Sequence, residues 1–214
     1  MEEKDIPDLN IFMMCEKYNK SASRKIPKGY HIRKLRKEEL ETWCLFPFDT
    51  VNGDKTEYVE FMKEYYNNVY SSKSEIFYNS CLVVCNDNDI PIATCFAWKA
   101  YNKFWTIHWF KTLKTEEGKG LGRAILTEVM NSIPENEFPV YLHTQPGSFR
   151  AIKIYSDFGF KILTDEFIGN RKNDYKESNK YLKHFMKQYY NDLEFAKSDE
   201  KFSDAAKLHN INEF

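Results

Sequence analysis

Residues 104–130 read FWTIHWFKTLKTEEGKGLGRAILTEVM, a pattern that predicts a strand, a glycine-rich turn and a helix. Three glycines at alternating positions from Gly118 to Gly122 let the backbone adopt conformations closed to residues with a Cβ, and let it approach a ligand closely. The helix that follows presents unpaired N–H groups and the positive end of its dipole at the same place. We therefore expect this turn to bind an anion, phosphate in particular.

Two common phosphate loops do not match this turn. The Walker loop needs Gly-Lys-Ser/Thr after its last glycine, whereas Gly122-Arg123-Ala124 stands here, and the spacing G-x-G-x-x-G is absent. The run from Glu117 to Gly122 resembles instead the pyrophosphate loop of the GNAT superfamily of N-acetyltransferases, written Arg/Gln-x-x-Gly-x-Gly/Ala. Glu117 stands where that family has Arg or Gln.

A second stretch carries the same resemblance independently. Residues 148–160 read SFRAIKIYSDFGF and are similar to the family signature Asn-x-x-Ala-x-x-x-Tyr-x-x-x-Gly-Phe, with Ser148 in place of Asn. The two matches cover residues 104–160, and a looser similarity in strand order extends back to about residue 30. The resemblance implies an α/β fold with a mixed, mostly antiparallel central sheet and helices on both faces, and it implies acetyl-CoA as cofactor.

Length and composition set further limits. The 214 residues, 42% of them hydrophobic, allow one domain with a sizeable core, and the net charge of -1 provides no global field for nucleic acid or an acidic membrane. We expect a core with an N-terminal lead-in over residues 1–168 and a helical C-terminal extension over residues 169–214, packed on the same domain. The five cysteines lack C-x-x-C spacing, and no signal peptide or long apolar run is present, so we expect a cytoplasmic protein with no metal site and no membrane partner.

The first half of the chain predicts the following elements. The apolar patch of residues 11–14 lies in the lead-in and should dock against the core. A strand from Tyr30 and a helix ended by Pro47 follow. On the next helix, apolar residues recur at helical spacing and should face the core. These residues are Tyr58, Phe61, Met62, Tyr65 and Val69. In the resembled family a helix at this place borders the acceptor pocket, so one or two of its aromatics could line that pocket.

The second half predicts a sheet with crossover helices. Residues 76–86 and 90–101 favour an antiparallel hairpin, apolar on both faces, around the turn at Asp87. The strand from Phe104 and the strand at residues 138–143 should be parallel neighbours, which in the resembled family splay apart to admit the pantetheine arm. Apolar spacing predicts an amphipathic helix over residues 178–194, and a last helix over residues 199–208 with Ser198 as a plausible cap.

The resemblance implies which residues hold the cofactor. Backbone N–H groups of the turn should bind the pyrophosphate, with charge added at the rim by Lys119 and Arg123. Strand backbone near residues 110–113 should supply the donor for the carbonyl oxygen, if a β-bulge leaves an N–H free there. The predicted cofactor-binding residues are Phe110, Lys111, Thr112, Leu113, Glu117, Gly118, Lys119, Gly120, Leu121, Gly122, Arg123 and Ser148.

Two side chains are candidates for proton transfer. Tyr155 matches the family's tyrosine that protonates the leaving sulfur, as a phenol can, and its alternative role is that of a core tyrosine. His108 shares a strand face with Phe110 and Thr112 by even spacing, and its ordinary pKa near 6.5 suits a base at neutral pH. A buried structural histidine is an equal alternative, His143 is a second choice, and a base acting through water would need neither.

Three functions remain open at this point. The first is an N-acetyltransferase that transfers acetyl directly to an amine of a small molecule or peptide, as the resemblance implies. The second is an acyl-CoA-binding sensor without turnover, for which Glu117 is the supporting feature. The third is a structural protein that uses the aromatic surface of the 178–194 helix as an interface, as a monomer or a homodimer. The sequence does not identify the acceptor.

Overall fold

The strands of the computed structural model, which describes residues 1–209 and 213–214, form one large mixed sheet and one small hairpin. In chain order they are β1 (Ile11–Cys15), β2 (Tyr30–Lys34), β3 (Leu82–Asn86), β4 (Pro91–Ala100), β5 (Phe104–Thr112), β6 (Val140–Thr144), β7 (Phe160–Leu163), β8 (Phe167–Ile168), β9 (Arg171–Lys172) and β10 (Phe195–Ala196). The large sheet has the order β10-β7-β1-β6-β5-β4-β3-β2, and β8 pairs with β9. All neighbouring pairs are antiparallel except β5/β6 and β7/β10.

Helices cover both faces of the large sheet, as predicted. They are α1 (Leu40–Leu45), α2 (Thr56–Val69), α3 (Ser74–Ser80), α4 (Leu121–Asn131), α5 (Phe149–Asp157), α6 (Tyr175–Met186) and α7 (Glu200–Leu208). One core contains buried residues of α4, α5 and α6, and the other contains buried residues of α1, α2, α3 and α7. None of the described helices is long and apolar enough to cross a membrane.

The pairing of β5 with β6 confirms the predicted parallel neighbours and their divergence. Only Thr106 opposite Tyr141 and Ile107 opposite Leu142 are in register. Beyond these pairs β5 continues to Thr112, and the two strands share no further register. A gap therefore opens between their carboxyl ends.

The patch at residues 11–14 is part of a central strand, which corrects its assignment to the lead-in. β1 pairs with β6 on one side and with β7 on the other, and all five of its residues are buried. A strand buried on both faces is apolar throughout and lacks the alternation that marks a half-exposed strand. The run Ile-Phe-Met-Met-Cys has this character.

The predicted strand over residues 76–86 is also corrected, because its first part is the helix α3. Phe77 is fully buried, Ile76 is exposed, and the amide of Cys81 donates to the carbonyl of Phe77 at 2.7 Å. Burial at Tyr70, Phe77 and Cys81, seven and four residues apart, follows a helical period. The rest of the hairpin, β3 and β4, is confirmed with its apolar residues on both faces.

The buried stripe of α2 differs from the predicted one. Met62, Tyr66 and Val69 are buried, whereas Tyr58 and Phe61 are exposed. The predicted face omitted Tyr66 because the apolar residues from Tyr58 to Val69 fit a helical stripe without it. The rotation of the helix leaves Phe61 and Tyr65 beside the gap between β5 and β6, as the cleft described below shows.

The tail contributes to both cores and to the sheet. α6 buries Leu182 and Met186 on one face, and α7 buries Phe202 and Ala206 on the other. α6 ends at Met186, short of the predicted residue 194. The cap of α7 is Asp199, whose side chain accepts from the amide of Lys201 at 2.9 Å, so the assignment of this role to Ser198 was wrong.

Candidate active site

A cleft of ≈790 Å³ occupies the gap where β5 and β6 separate. The backbone and side chains of β5, the end of β6, the start of α5 and the aromatic residues of α2 meet there. Its lining residues are Asp8, Pro47, Phe48, Phe61, Tyr65, Ile107, His108, Trp109, Phe110, Lys111, His143, Thr144, Gln145, Ser148, Ala151, Tyr155 and Phe214. Both predicted catalytic residues, and part of the predicted cofactor set, therefore face one space.

The glycine-rich turn lies beside this cleft, at the start of α4. Gly118 and Gly120 have φ of 79° and 82°, the left-handed region that favours glycine, and Gly120 immediately precedes the helix. A Cβ on Gly122 would meet the Phe110 ring at 3.0 Å and Thr112 Oγ1 at 3.4 Å. Gly122 thus allows α4 to pack closely on β5, next to Phe110 in the lining of the cleft.

The charged side chains of the turn are already paired. Lys114 Nζ lies 3.0 Å from Glu117, and Lys119 Nζ lies 2.8 Å from Glu116. The charge of Glu117 is therefore offset by a neighbouring lysine. With the side-chain charges offset, the free amide groups of the turn and the dipole of α4 are the features that favour an anion here.

Arg123 contacts a neighbouring helix, which disagrees with a role at the rim. Its guanidinium lies 2.5 Å from Asp157 and 5.9 Å from the centroid of the Phe158 ring. A hydrogen-bonded pair between α4 and α5 fixes this side chain. The amide of Arg123 lies in the first turn of α4, and its contact with the pyrophosphate stays a prediction.

A β-bulge in β5 corrects the predicted face of His108. His108 pairs with Phe96 and Lys111 with Thr94, so Trp109 and Phe110 together lie opposite Cys95, and Trp109 has a φ of 48°. The extra residue inverts the alternation of the strand. His108 packs against the α2 side, whereas Phe110 and Thr112 lie against Gly122 on the α4 side.

The bulge lies one residue earlier than the predicted segment. The amide of Leu113 donates to the carbonyl of Ile92 at 2.9 Å and is not free for a ligand. Lys111 Nζ pairs with Asp49 at 2.9 Å, and the other carboxylate oxygen of Asp49 accepts from the amide of Lys114 at 2.5 Å. Asp49 therefore holds the end of β5 and the start of the turn together.

His108 lies in a chain of hydrogen bonds whose direction can be derived. Thr106 donates to the carbonyl of Trp98 at 3.0 Å, so its oxygen, 2.7 Å from Nε2 of His108, accepts the ring proton. Nδ1 must then accept from the Tyr70 hydroxyl at 2.5 Å. Tyr70 in turn accepts from Trp109 Nε1 at 3.1 Å.

Both ring nitrogens of His108 are thus occupied in the neutral state. Burial lowers the pKa of His108 to about 3. A group with so low a pKa, whose lone pair already binds a tyrosine proton, is a poor acceptor for an ammonium proton at neutral pH. The structure therefore disfavours the prediction that His108 is the base.

His143 is disfavoured for a related reason. Its Nε2 lies 2.8 Å from the Arg171 guanidinium, and burial together with that charge lowers the pKa of His143 to about 3. Both histidines of the cleft are consequently neutral at physiological pH.

Tyr155 presents a protonated hydroxyl to the cleft. Its ring packs against Phe110 and Phe160, with centroids 5.4 and 5.7 Å away. Burial raises its pKa well above the ordinary value, so the phenol keeps its proton at neutral pH. It lines the cleft, and no side chain or backbone group of residues 1–209 and 213–214 hydrogen-bonds its hydroxyl. Ser148 lies at the start of the same helix α5, also in the cleft.

The cysteines are buried and carry free thiols. Cys85 comes close to His31 and Asp89, a proximity the sequence spacing did not indicate. Asp89 is held by Arg33 and Arg36 at 2.7 and 2.6 Å, and burial raises the pKa of Cys85 to about 11. A carboxylate bound to two arginines beside a protonated thiol is a poor ligand set for a cation.

Sequence reasoning missed Tyr70, Thr106 and Asp49. Each acts through a partner distant in the chain, such as Tyr70 through His108 and Asp49 through Lys111. A positive φ at Trp109 has no sequence signature, because tryptophan rarely adopts it. Contacts between distant parts of the chain, and not a local pattern, identify these residues.

Comparison with known proteins points to one family. Residues 38–160 match the family described as "Acetyltransferase (GNAT) family". Two solved structures share the fold. One is a GCN5-related N-acetyltransferase from Sphaerobacter thermophilus, with 15% sequence identity, 76% of this chain covered and a TM-score of 0.51. The other is an acetyltransferase from Colwellia psychrerythraea, with 12% sequence identity, 73% of this chain covered and a TM-score of 0.51. The chain spans 51% and 53% of the lengths of those proteins. No curated protein matches significantly.

Proposed function

The chain belongs to the acetyltransferase (GNAT) family, and from that premise we propose that it transfers an acetyl group from acetyl-CoA to an amine. The observation that carries the proposal is the cleft between β5 and β6. At this cleft, the free hydroxyl of Tyr155 and the bulge at Trp109 lie together, and the start of α4 packs against Phe110 of the lining. Acyl transfer from a thioester needs these three elements in one place.

The residues fit acetyl-CoA. Gly120 has open space around its Cα on the ligand side, since a Cβ there would meet only Pro27, at 4.0 Å. The amide groups of Leu121, Gly122 and Arg123, in the first turn of α4, have no partner within the helix and can bind the pyrophosphate. The cleft between the strands has the size of typical small-molecule sites. When bound, acetyl-CoA supplies the thioester carbonyl that the amine attacks.

The chain's own groups would then act on charge and protons. A backbone N–H of the bulge, at Trp109 or Phe110, can donate to the carbonyl oxygen as it gains charge. As the C–N bond forms and the C–S bond breaks, Tyr155 gives its hydroxyl proton to the departing sulfur. Its high pKa favours recovery of a proton from water afterwards.

The amine must also lose a proton, and neither histidine of the cleft is suited to take it. The low pKa of His108 and of His143 keeps both neutral. We therefore assign this proton to water in the cleft. The amine would react from the small neutral fraction present near pH 7, and the rate should rise with pH until the amine is fully deprotonated.

A thiol-release assay with acetyl-CoA and a panel of primary amines tests the proposal. We expect release that depends on both substrates and a product heavier than the amine by one acetyl group. Saturable binding of acetyl-CoA without thiol release for any amine would support the acyl-CoA sensor instead. Absence of binding would overturn both functions.

A further inference from the structure

We propose that the acceptor is a primary amine on an aromatic or similarly apolar body, bound by an aromatic wall formed by Phe48, Phe61, Tyr65 and Trp109. This inference rests on the proposed function and specifies the substrate class of its cleft. All four side chains line the cleft on the α2 side. The opposite side is formed by Phe110 and Tyr155.

The fold does not require Phe61 in its position. Its side chain is 57% exposed, although α2 has a buried stripe through Met62, Tyr66 and Val69 that already anchors the helix. An exposed phenylalanine at the mouth of a cleft leaves apolar surface in water, which a ligand can cover. The wall therefore has apolar surface left to bury on a ligand.

The wall is held rigidly, which lowers the entropic cost of binding. Tyr65 meets the Trp109 ring edge-on at 5.3 Å, and Trp109 meets Trp43 at 5.7 Å in the same manner. The indole N–H of Trp109 is fixed by the Tyr70 hydroxyl at 3.1 Å. Phe48 is supported from behind by Tyr58, with ring centroids 4.5 Å apart.

The charges of the cleft suit a cation rather than an acid. Among the described lining residues, Lys111 is the one lysine or arginine, and Asp49 neutralises it at 2.9 Å. Asp8, also in the lining, makes no ion pair with any described residue. An ammonium group is attracted by this carboxylate and by aromatic faces, whereas a carboxylate on the acceptor is repelled by Asp8. The guanidinium of Arg171 lies behind the lining, where it already binds Nε2 of His143 at 2.8 Å and the carbonyl of Phe214.

Three amines of graded structure provide the test: 2-phenylethylamine, n-propylamine, and phenylalanine, which adds a carboxylate to the aromatic amine. With the wild-type protein and saturating acetyl-CoA, we expect kcat/KM for phenylethylamine to exceed that for propylamine by about ten- to hundredfold, the worth of burying one phenyl ring. Phenylalanine should be turned over less efficiently than phenylethylamine.

The variant Phe61→Ala should lose about tenfold in kcat/KM for phenylethylamine, through KM, with little change for propylamine. Phe167→Ala removes a phenylalanine that is 50% exposed and lies outside the cleft, and it should leave kcat/KM unchanged for both amines. Equal efficiency of the two amines, or an equal loss for both in Phe61→Ala, would overturn the inference and leave the acetyltransferase proposal standing.

Calorimetry separates this inference from the proposed function. If no amine releases thiol, the proposed reaction fails, and titration of phenylethylamine into wild type and Phe61→Ala still decides the aromatic site. Binding to the wild type, weakened about tenfold in the variant, would support that site. Binding that is absent or equal in both proteins would reject it.

Discussion

The hydroxyl of Tyr155 is a polar atom that packing does not use, because only its ring contacts Phe110 and Phe160. In Tyr155→Phe we therefore expect kcat to fall by roughly 10²- to 10⁴-fold, as on loss of a positioned acid, while the free energy of unfolding changes little. Thiol release beside thermal unfolding measures both. An equal loss of acetyl-CoA affinity would instead assign the residue to cofactor positioning, and normal turnover would refute its role.

His108 should affect stability in a pH-dependent way. Its pKa is lowered from 6.5 to about 3 in the folded state, so below pH 6.5 the unfolded chain binds a proton that the folded chain does not. Stability is therefore complete above pH 6.5 and falls as the pH drops towards 3. The loss at about pH 4.5 should be about 3 kcal/mol.

In the variant His108→Gln, the free energy of unfolding measured in urea should fall less between pH 6.5 and about 3 than in the wild type, since glutamine does not titrate. At neutral pH it should cost about 1–3 kcal/mol, because the buried Tyr70 and Thr106 lose fitted partners. We expect the dependence of kcat/KM on pH to keep its rise from acidic to neutral pH in this variant. Disappearance of that rise alone, with stability unchanged, would restore His108 as the base.

At this scale, the family resemblance predicted Tyr155 as the acid, which stays a prediction, whereas the ordinary pKa of histidine suggested His108 as the base, which the structure disfavours. The motif that includes Tyr155 also includes Gly159, four residues later. A Cβ added at Gly159 would lie 2.6 Å from the carbonyl of Lys17, so packing requires the glycine of the motif. The environment of His108 depends on Tyr70, 38 residues away, and on a bulge. Neither is encoded in local sequence.

Among the elements, the turn before α4 offers a test with a matched control. Gly120 and Gly53 have φ of 82° and 88°, and a Cβ on either meets no atom closer than 4.0 Å. Valine should therefore strain both positions alike, by about 1–3 kcal/mol. Only Gly120→Val should lose acetyl-CoA affinity in calorimetry. Equal affinity in the two variants would remove the turn from the cofactor site.

Elements with a strong apolar periodicity, or with a glycine or proline at their boundary, were predictable from the sequence. Elements whose type depends on contacts with distant residues were not. Apolar spacing predicts helices over residues 119–132 and 148–158, and α4 and α5 begin and end within two residues of those bounds. β1 was left in the lead-in because a strand buried on both faces lacks the alternation that marks a half-exposed strand. α3 was misassigned because a short apolar run fits a buried strand or a helix equally well. Their neighbours in the sheet and in the aromatic core decide between the two.

At the scale of the whole molecule, the sheet separates two cores that the cleft joins. Phe110 and Tyr155 belong to the α4 side, and Tyr65 and Trp109 to the α2 side. The family resemblance covered residues 104–160 and correctly indicated the first side and the sheet. The α2 side of the sheet depends on the rotation of α2 about its axis and on the position of α7. The sequence showed only that both helices are amphipathic.

The tail is the part of the molecule on which the resemblance was silent, and α7 provides a test of its place in the fold. Phe202 is fully buried and stacks on Tyr141 of β6 with centroids 3.6 Å apart. Phe202→Ala should lower the free energy of unfolding by about 3–5 kcal/mol and shift a single cooperative transition. Scanning calorimetry measures both.

Phe195→Ala is the matched control for this prediction, because Phe195 also lies in the tail but is 43% exposed. It should change the free energy of unfolding by no more than about 0.5 kcal/mol. If Phe202→Ala left the main transition in place and only added a small early one, α7 would be a separate unit. A shift of the whole transition would instead mean that α7 folds with β6, the strand that forms one side of the cleft.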